Sequence, residues 1–225
     1  MNILAIDTAA ALCAACVLDS TQGVEKGRAV RDLGKGHAEH VMAVVAEALE
    51  GAGLAYRDLD AVAVCVGPGS FTGVRVGVAA ARGLALALRV PAIGITTLEA
   101  LAAEARDAFP GRPVLVVTGN RPDSLHMARF DAAGGLVEGP ALAPIATIAE
   151  GARADRPVLA GNAAPLVVEA AGQGFDMAAL AATADIARYA RLAAARRPGD
   201  RPRPLYLRAA DARPQDAFAL PLKDG

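Results

Sequence analysis

An order of elements that occurs twice along the chain constrains its fold most strongly. In the first half, three short apolar runs joined by tight connections predict an antiparallel meander, which a helix, a buried strand and a second helix follow. The segment FPGRP at 109–113 then marks a boundary, because its prolines and glycine end regular structure. Beyond it the same order returns with shorter strands. The sequence therefore predicts two α/β lobes, of which the second is reduced.

The composition fits two lobes and limits the classes of partner. Of the 225 residues, 54% are hydrophobic, which is enough for a core in each lobe, and the formal net charge is only −1. A near-neutral chain is not predicted to bind nucleic acid or membrane over its whole surface. No signal-peptide pattern is visible, and arginines interrupt the most apolar window, so a cytoplasmic protein without a membrane span is expected. We predict a first lobe at 1–109, a second at 110–195, and a basic linker and tail at 196–225.

The helix predicted from Phe71 is apolar on more than one side. Packing on one face of a sheet needs a single apolar stripe, which Val74 and Val78 begin. A second face, also small and apolar, has to be buried against the other lobe or against another chain, and we predict a partner chain. The residues of this second face are Gly73, Val76, Gly77, Ala80 and Leu84.

Asp7 and Thr8 stand at the end of the first predicted strand. A carboxylate and a hydroxyl at such a position can hold hydrated Mg²⁺ and contact a phosphate, which would make this a residual phosphate site. A strand-end aspartate can equally cap its own turn. The dipeptide leaves both interpretations open.

The run GPGSFTG at 67–73 lies between a strand and a helix. Exposed N–H groups and the helix dipole attract anions at such a turn, but the Gly-Lys-Ser/Thr of a Walker A loop is missing. We favour helix capping by Ser70, with Pro68 stiffening the turn. The residues of this turn and N-cap motif are Gly67, Pro68, Gly69, Ser70 and Thr72.

No metal site is predicted from the cysteines and histidines. Cys13 and Cys16 lie three residues apart in a predicted strand and therefore point to opposite faces. His37 and His40 are interpreted as a surface pair at the start of a helix. The arginine-rich segment from Arg188 to Arg213 could contact phosphates, although a solvated linker is the favoured interpretation.

Several runs together closely resemble the bacterial TsaB (YeaZ) family. They are ILAIDT at 3–8, GPGSFTGVRVG at 67–77 and PAIGITTL at 91–98, with shorter matches at 37–39 and 204–208. The resemblance implies an α/β fold of the actin-like, Hsp70-like (ASKHA) type, made of two ribonuclease-H-type lobes. It also implies a part in making N6-threonylcarbamoyladenosine (t6A) on tRNA, where a synthase supplies threonylcarbamoyl-adenylate and the TsaD subunit transfers the threonylcarbamoyl group.

Within that system the resemblance implies a scaffold and not an enzyme in its own right. TsaB-type proteins dimerise with TsaD, the ATPase TsaE joins them, and tRNA is reached only through the complex. A homodimer is possible when TsaD is absent. The family's interface uses first-lobe helices, which places it here on the second face of the helix from Phe71 and on His40, Val41 and Val44.

Two departures reduce the chemistry expected of this chain. His37 and His40 are one residue short of the His-x-x-x-His pair that TsaD-type metal binding would need. The tripeptide Gly119-Asn120-Arg121 stands where relatives usually carry Asp-Ala-Arg, so a carboxylate is missing. Only Asp7 is left of a two-carboxylate phosphate clamp. No cofactor of its own is therefore expected, and ATP or ADP is expected only at an interface shared with the partner.

Three alternatives remain open on the sequence. The first is an ATP-dependent small-molecule kinase of the same superfold, which would need carboxylates from both lobes. The second is a metallopeptidase-like enzyme, which would need a third metal ligand. The third is a self-assembling protein that buries its helical face against a second copy.

Overall fold

The first half of the chain folds as one lobe around a five-stranded sheet. In this computed structural model, residues 1–207 are described; residues 208–225 of the predicted tail, with Arg208 and Arg213, lie outside them. The elements of the first lobe are β1 (Asn2–Asp7), β2 (Leu12–Asp19), β3 (Val24–Asp32), α1 (His37–Ala52), a 3₁₀ turn (Tyr56–Asp58), β4 (Ala61–Cys65), α2 (Phe71–Leu88), β5 (Ala92–Ile95) and α3 (Thr97–Ala108).

The sheet of this lobe combines the predicted meander with two parallel strands. Its order is β3-β2-β1-β4-β5. β1, β2 and β3 are antiparallel neighbours, whereas β4 runs parallel to β1 and β5 runs parallel to β4. Because β1 and β4 are parallel, their carboxyl ends meet at one edge of the sheet. Asp7 and Cys65, the last residues of these two strands, are thereby brought together.

The second lobe repeats this topology in shorter form. Its elements are β6 (Val114–Thr118), β7 (Leu125–Phe130), β8 (Leu136–Ala143), α4 (Ile145–Asp155), β9 (Val158–Ala160), α5 (Ala164–Ala171) and β10 (Met177–Ala178). The sheet order is β8-β7-β6-β9-β10. β6, β7 and β8 are antiparallel neighbours, whereas β9 runs parallel to β6 and β10 runs parallel to β9. The duplicated, reduced lobe predicted from the sequence is thus confirmed, and the fold is of the two-lobed ribonuclease-H type.

The predicted boundary at residue 195 is wrong, because the chain returns to the first lobe before it. The helix α6 (Ile186–Ala194) packs on β1 and β2, and its side chains Tyr189 and Ala190 are buried in the first lobe's core. The sheet of the first lobe has α1 and α2 on one side and needs cover for its other apolar face. α6 supplies that cover.

Residues 196–201 are exposed, as the interpretation of a solvated linker predicts, but the stretch from 196 to 207 is also held to the first lobe at several points. The Arg196 guanidinium donates to the Gly94 carbonyl over 2.7 Å and pairs with Glu99. Pro202 is buried, and the Leu205 N–H donates to the Val66 carbonyl over 2.8 Å. We call residues 196–207 the return segment.

α2 has the length and composition of a membrane span, and it is the single helix of the described part of the chain that does. It nevertheless carries Arg75 and Arg82, and its stripe of Val74, Val78 and Ala81 is buried against the sheet. The first of the two apolar faces predicted for this helix is therefore a core face.

Candidate functional site

The Asp7 carboxyl lies inside the protein and not at an open ligand site. The residue is only 2% exposed, and its Oδ1 accepts a hydrogen bond from the Ala9 N–H over 2.8 Å. Burial raises the pKa of the Asp7 carboxyl above its ordinary value, although the Ala9 N–H and the side chains of Thr183 and Cys65 act in the opposite direction. The cap of its own turn, the alternative left open by the sequence, is the role that the structure gives Asp7.

Thr8 is enclosed in the same way. It is 1% exposed, and its hydroxyl donates to the Gly73 carbonyl over 2.7 Å. A Cβ on Gly77 would lie 2.5 Å from Thr8 Oγ1, and one on Gly73 would overlap the Thr8 carbonyl oxygen. These contacts favour the capping role of Asp7, and the phosphate or Mg²⁺ site at Asp7 and Thr8 stays a prediction.

A buried polar cluster surrounds Asp7 where α6 meets the strand ends. Cys65 Sγ lies 3.2 Å from Thr97 Oγ1, and the Thr97 hydroxyl donates to the Pro68 carbonyl over 2.8 Å. Tyr189 of α6 is fully buried, and burial together with the Asp7 charge raises the pKa values of the Cys65 thiol and the Tyr189 hydroxyl. The cluster is therefore part of the packed interior of the first lobe.

His37 belongs to this interior and not to the surface. It is only 6% exposed, and its positive form would lower the pKa of Asp7. The surface pair of His37 and His40 expected from the sequence is therefore wrong, because only His40 is partly exposed. Among the described residues no group of three or more histidine, cysteine or acidic side chains is arranged to hold a metal ion.

The glycine-rich turn before α2 caps the helix, as its sequence predicts. The Ser70 Oγ accepts from the Gly73 N–H over 3.2 Å, and the Ser70 N–H donates to the Ala9 carbonyl over 2.7 Å. Gly67 has a φ of +92°, which favours glycine, and a Cβ on Gly69 would meet Ala9. The turn therefore locks the end of β1 to the start of α2. Pro68 lies within it, and Thr72 is exposed.

The corresponding strand end of the second lobe carries no carboxylate. Gly119 follows β6, with a φ of +123°. Its N–H donates to Asn162 Oδ1 and its carbonyl accepts from Asn162 Nδ2, each over 3.1 Å. The side-chain amide of Asn162 thus closes the turn with two reciprocal hydrogen bonds.

The predicted partner face divides into buried and accessible residues. Val41, Val44, Gly73 and Gly77 are buried in the first lobe, so they are core residues and their assignment to an exposed face is corrected. His40, Val76, Ala80 and Leu84 are half-buried, and Ala79, Gly83 and Ala87 beside them are exposed. We call Val76, Ala79, Ala80, Gly83 and Ala87 the α2 outer face.

Sequence inspection missed two residues that shape these strand ends, Thr183 and Tyr189, and it did not predict the contact that Asn162 makes with Gly119. Tyr189 could have been found, because Ile186, Tyr189, Ala190 and Ala193 follow helical spacing and predict an amphipathic helix that needs a sheet to cover. Asn162 follows Gly161, a pairing typical of a turn, but nothing local shows that its amide reaches Gly119.

Comparisons with known proteins agree on one family. A family model described as TsaD, tRNA N6-adenosine threonylcarbamoyltransferase, matches residues 30–197. The chain is 34% identical over 131 residues to the tRNA threonylcarbamoyladenosine biosynthesis protein TsaB of Escherichia coli, covering 58% of this chain and 55% of that protein. It is also 43% identical over 95 residues to the tRNA N6-adenosine threonylcarbamoyltransferase of Moorella thermoacetica, covering 40% of this chain and 28% of that protein.

The solved structures extend the likeness over almost the whole chain. A Pseudomonas aeruginosa protein with similarity to peptidase YeaZ has a TM-score of 0.75 at 27% identity, covering 92% of this chain and 99% of that chain. The aligned region covers 55% of the curated TsaB protein of Escherichia coli, so the chain spans about half the length of that protein. From the matched family model, the TsaB relatives and the shared two-lobed fold, we conclude that the chain belongs to the TsaB (YeaZ) family, within the wider family described as tRNA N6-adenosine threonylcarbamoyltransferase.

Proposed function

We propose that this chain is a non-catalytic partner subunit in t6A biosynthesis, which dimerises with a TsaD-type transferase. Relatives from Escherichia coli and Haemophilus influenzae are named as tRNA threonylcarbamoyladenosine biosynthesis proteins TsaB. The family model carries the name of the transferase itself. A chain related to the transferase, whose Asp7 and Thr8 are buried, is best suited to support the transferase.

The observation that carries the non-catalytic role is the state of the two strand ends. In a two-lobed fold of this type, a nucleotide would lie between the carboxyl ends of β1 and β6. Asp7 at the first end is buried against its own chain, and Gly119 at the second end offers only backbone groups, which Asn162 occupies. The kinase alternative needs a carboxylate from each lobe, and the metallopeptidase alternative needs histidines that are accessible together. This arrangement favours neither.

The α2 outer face is the surface we assign to the transferase. Its small side chains would let a helix of the partner approach closely, and its exposed apolar area is the kind that a stable interface buries. Any ATP or ADP would bind at the interface shared with TsaD. TsaE and tRNA would be reached through the complex in the cytoplasm, and without TsaD the same face would pair two copies of this chain.

Size-exclusion chromatography with light scattering on the chain mixed with its cognate TsaD tests this proposal. Ala79→Glu places a charge on the α2 outer face, and Ala154→Glu, on exposed helix α4 of the second lobe, is the matched control. We expect a one-to-one complex with the wild type and the control, and none with Ala79→Glu at micromolar concentrations. An Ala79→Glu variant that binds TsaD as well as the wild type would reject the assigned face, and absence of any complex would reject the partner role.

A further inference from the structure

A basic cavity lies at the far end of α2 from the glycine-rich turn. Its volume is about 460 Å³, and its walls are the last turns of α2, the start of β5, and Gly199 and Arg201 of the return segment. Three arginines line it, Arg82, Arg89 and Arg201, and none of the described residues that line it is acidic.

The fold, and not the local sequence, brings these three arginines together. Arg82 lies in the last turns of α2, and Arg89 is the left-handed residue that ends the helix. Arg201 comes from the return segment, which is anchored before it by Arg196 on Gly94 and Glu99 and after it by the Leu205 N–H on Val66. The backbone around Arg201 is therefore anchored to the first lobe on both sides of the cavity.

The charge of the cavity is not neutralised within the described part of the chain. None of the ion pairs formed there uses Arg82, Arg89 or Arg201, whereas the neighbouring Arg196 is paired with Glu99. Asp200 adjoins Arg201 in sequence but does not line the cavity. Unpaired like charges that converge on one cavity repel each other, so an anion bound among them would be stabilised.

The carbonyl groups that end α2 oppose an anion only weakly. A helix C-terminus carries a partial charge of roughly −0.5. Some of these carbonyls are already capped, because the Arg89 N–H bonds to the carbonyls of Ala85 and Leu86, and the Val90 N–H bonds to that of Ala85 over 3.0 Å. The three full positive charges of the arginines exceed the partial negative charge that remains at the end of α2.

We propose that this cavity binds the phosphate groups of a polyanionic ligand. Guanidinium groups hold phosphate oxygens through paired, charge-assisted hydrogen bonds, and Leu86, Val90 and Pro91 form apolar parts of the cavity wall. The cavity is large enough for more than one phosphate group. The phosphates come either from a free nucleotide or from the backbone of an RNA.

Binding of inorganic tripolyphosphate, measured by isothermal titration calorimetry, tests the site on the full chain. The variants are Arg82→Gln, Arg201→Gln and Arg89→Asn, alone and combined. Asparagine suits position 89 because Arg89 has a φ of +59° and asparagine tolerates this backbone conformation. The control is Arg57→Gln, whose side chain is 86% exposed and does not line the cavity. Circular dichroism verifies the fold of each variant.

We expect each single substitution to weaken tripolyphosphate binding about tenfold, and the control to bind as the wild type does. Two further probes distinguish the sources. ATP binding that depends on the three arginines indicates a nucleotide. Binding of a labelled single-stranded RNA whose salt slope falls by about 2 in the triple variant, at roughly 0.7 per lost phosphate contact, indicates an RNA backbone. The proposal is overturned if the wild type binds none of the three probes, or if the folded triple variant binds them as tightly as the control.

Discussion

At the scale of single residues, Gly73 and Gly77 of α2 need to be glycine because a side chain at either position would overlap Thr8. A Cβ on Gly77 would lie 2.5 Å from Thr8 Oγ1, whereas nothing lies within 4 Å of a Cβ on Gly83 of the same helix. Gly77→Ala is therefore expected to destabilise the fold by about 1–3 kcal/mol through overpacking. Gly83→Ala is expected to stabilise it by about 0.5–1 kcal/mol, because alanine favours the helix.

Urea unfolding of the two variants measures this difference on one helix. Equal changes in the free energy of unfolding at positions 77 and 83 would mean that helix propensity alone governs both positions. They would also mean that Gly77 does not pack closely against Thr8 at the end of β1.

The buried Asp7 carboxyl predicts a pH effect of definite sign. Because burial raises its pKa in the folded state, the native protein holds a proton on Asp7 at pH values where the unfolded chain has released it. The wild type therefore loses stability relative to Asp7→Asn as the pH rises from the ordinary value near 3.8 through the raised native pKa. Denaturant unfolding of both proteins from pH 4 to pH 8 would show the free energy of unfolding of the wild type falling relative to that of Asp7→Asn. A difference in free energy that stays constant with pH, or that changes the other way, contradicts a raised pKa of Asp7.

Residue roles were predictable where the signal is local. Ser70 as the N-cap follows from a polar side chain at the start of an apolar helix, and the structure confirms it. The burial of His37 and the enclosure of Asp7 were not predictable, because α6 and Thr183, more than 140 residues further along, help to form the interior into which they point.

At the scale of elements, α6 depends on the residue that begins it. Asp185 caps the helix by accepting from the Ala187 N–H over 2.9 Å, and it accepts two bonds from the Arg28 guanidinium at 2.6 and 2.9 Å. Asp185→Ala should cost about 1–2 kcal/mol, because it removes the cap and the ion pair together. Asp185→Asn keeps a capping oxygen and should cost less than about 1 kcal/mol.

The same residue gives a second, independent readout. The hydrogen bonds from Arg28 lower the pKa of Asp185, so its contribution to stability is present above the ordinary value of 3.8 and is lost as the pH falls below it. Thermal unfolding of the wild type and the two variants at pH 7 and pH 3 checks both points. If Asp185→Ala unfolds at the wild-type temperature at pH 7, α6 is not anchored in this way.

The elements of the first lobe could be predicted closely because their periodicity is strong. The stripe Val41, Val44 and Val45 identifies α1, and the same residues turn out to face the sheet. The second face of α2 was predicted only in part. Glycines on a helix look like an interface for a partner when only sequence is available, but Gly73 and Gly77 are small because β1 ends against them.

At the scale of the whole molecule, duplication was visible in the sequence but the return of the chain was not. The repeated order of meander, helix, strand and helix predicted two lobes of equal topology, and the two sheet orders agree with it. Secondary-structure order does not specify which lobe a last helix covers. The apolar face of the first sheet decided that, because it needs α6 to exclude water.

The return segment has a consequence for the molecule as a whole. It crosses the first lobe from Arg196 at the end of β5 to Tyr206, whose hydroxyl accepts from Arg75 Nε over 2.6 Å. One end of α2 is thereby joined to a cluster of Phe71, Arg75 and Tyr206, and the other end lines the basic cavity. The α2 outer face, proposed to bind a transferase, lies on the same helix as this cavity.

The partner role is tested by t6A formation on tRNA in a mixture of this chain, its cognate TsaD and TsaE, and the synthase that makes threonylcarbamoyl-adenylate. We expect that this chain forms no t6A without TsaD, that Asp7→Asn supports wild-type formation, and that Ala79→Glu does not. Loss of t6A with Asp7→Asn, while its complex with TsaD remains intact, would contradict the account, because it would make the buried carboxylate part of the chemistry.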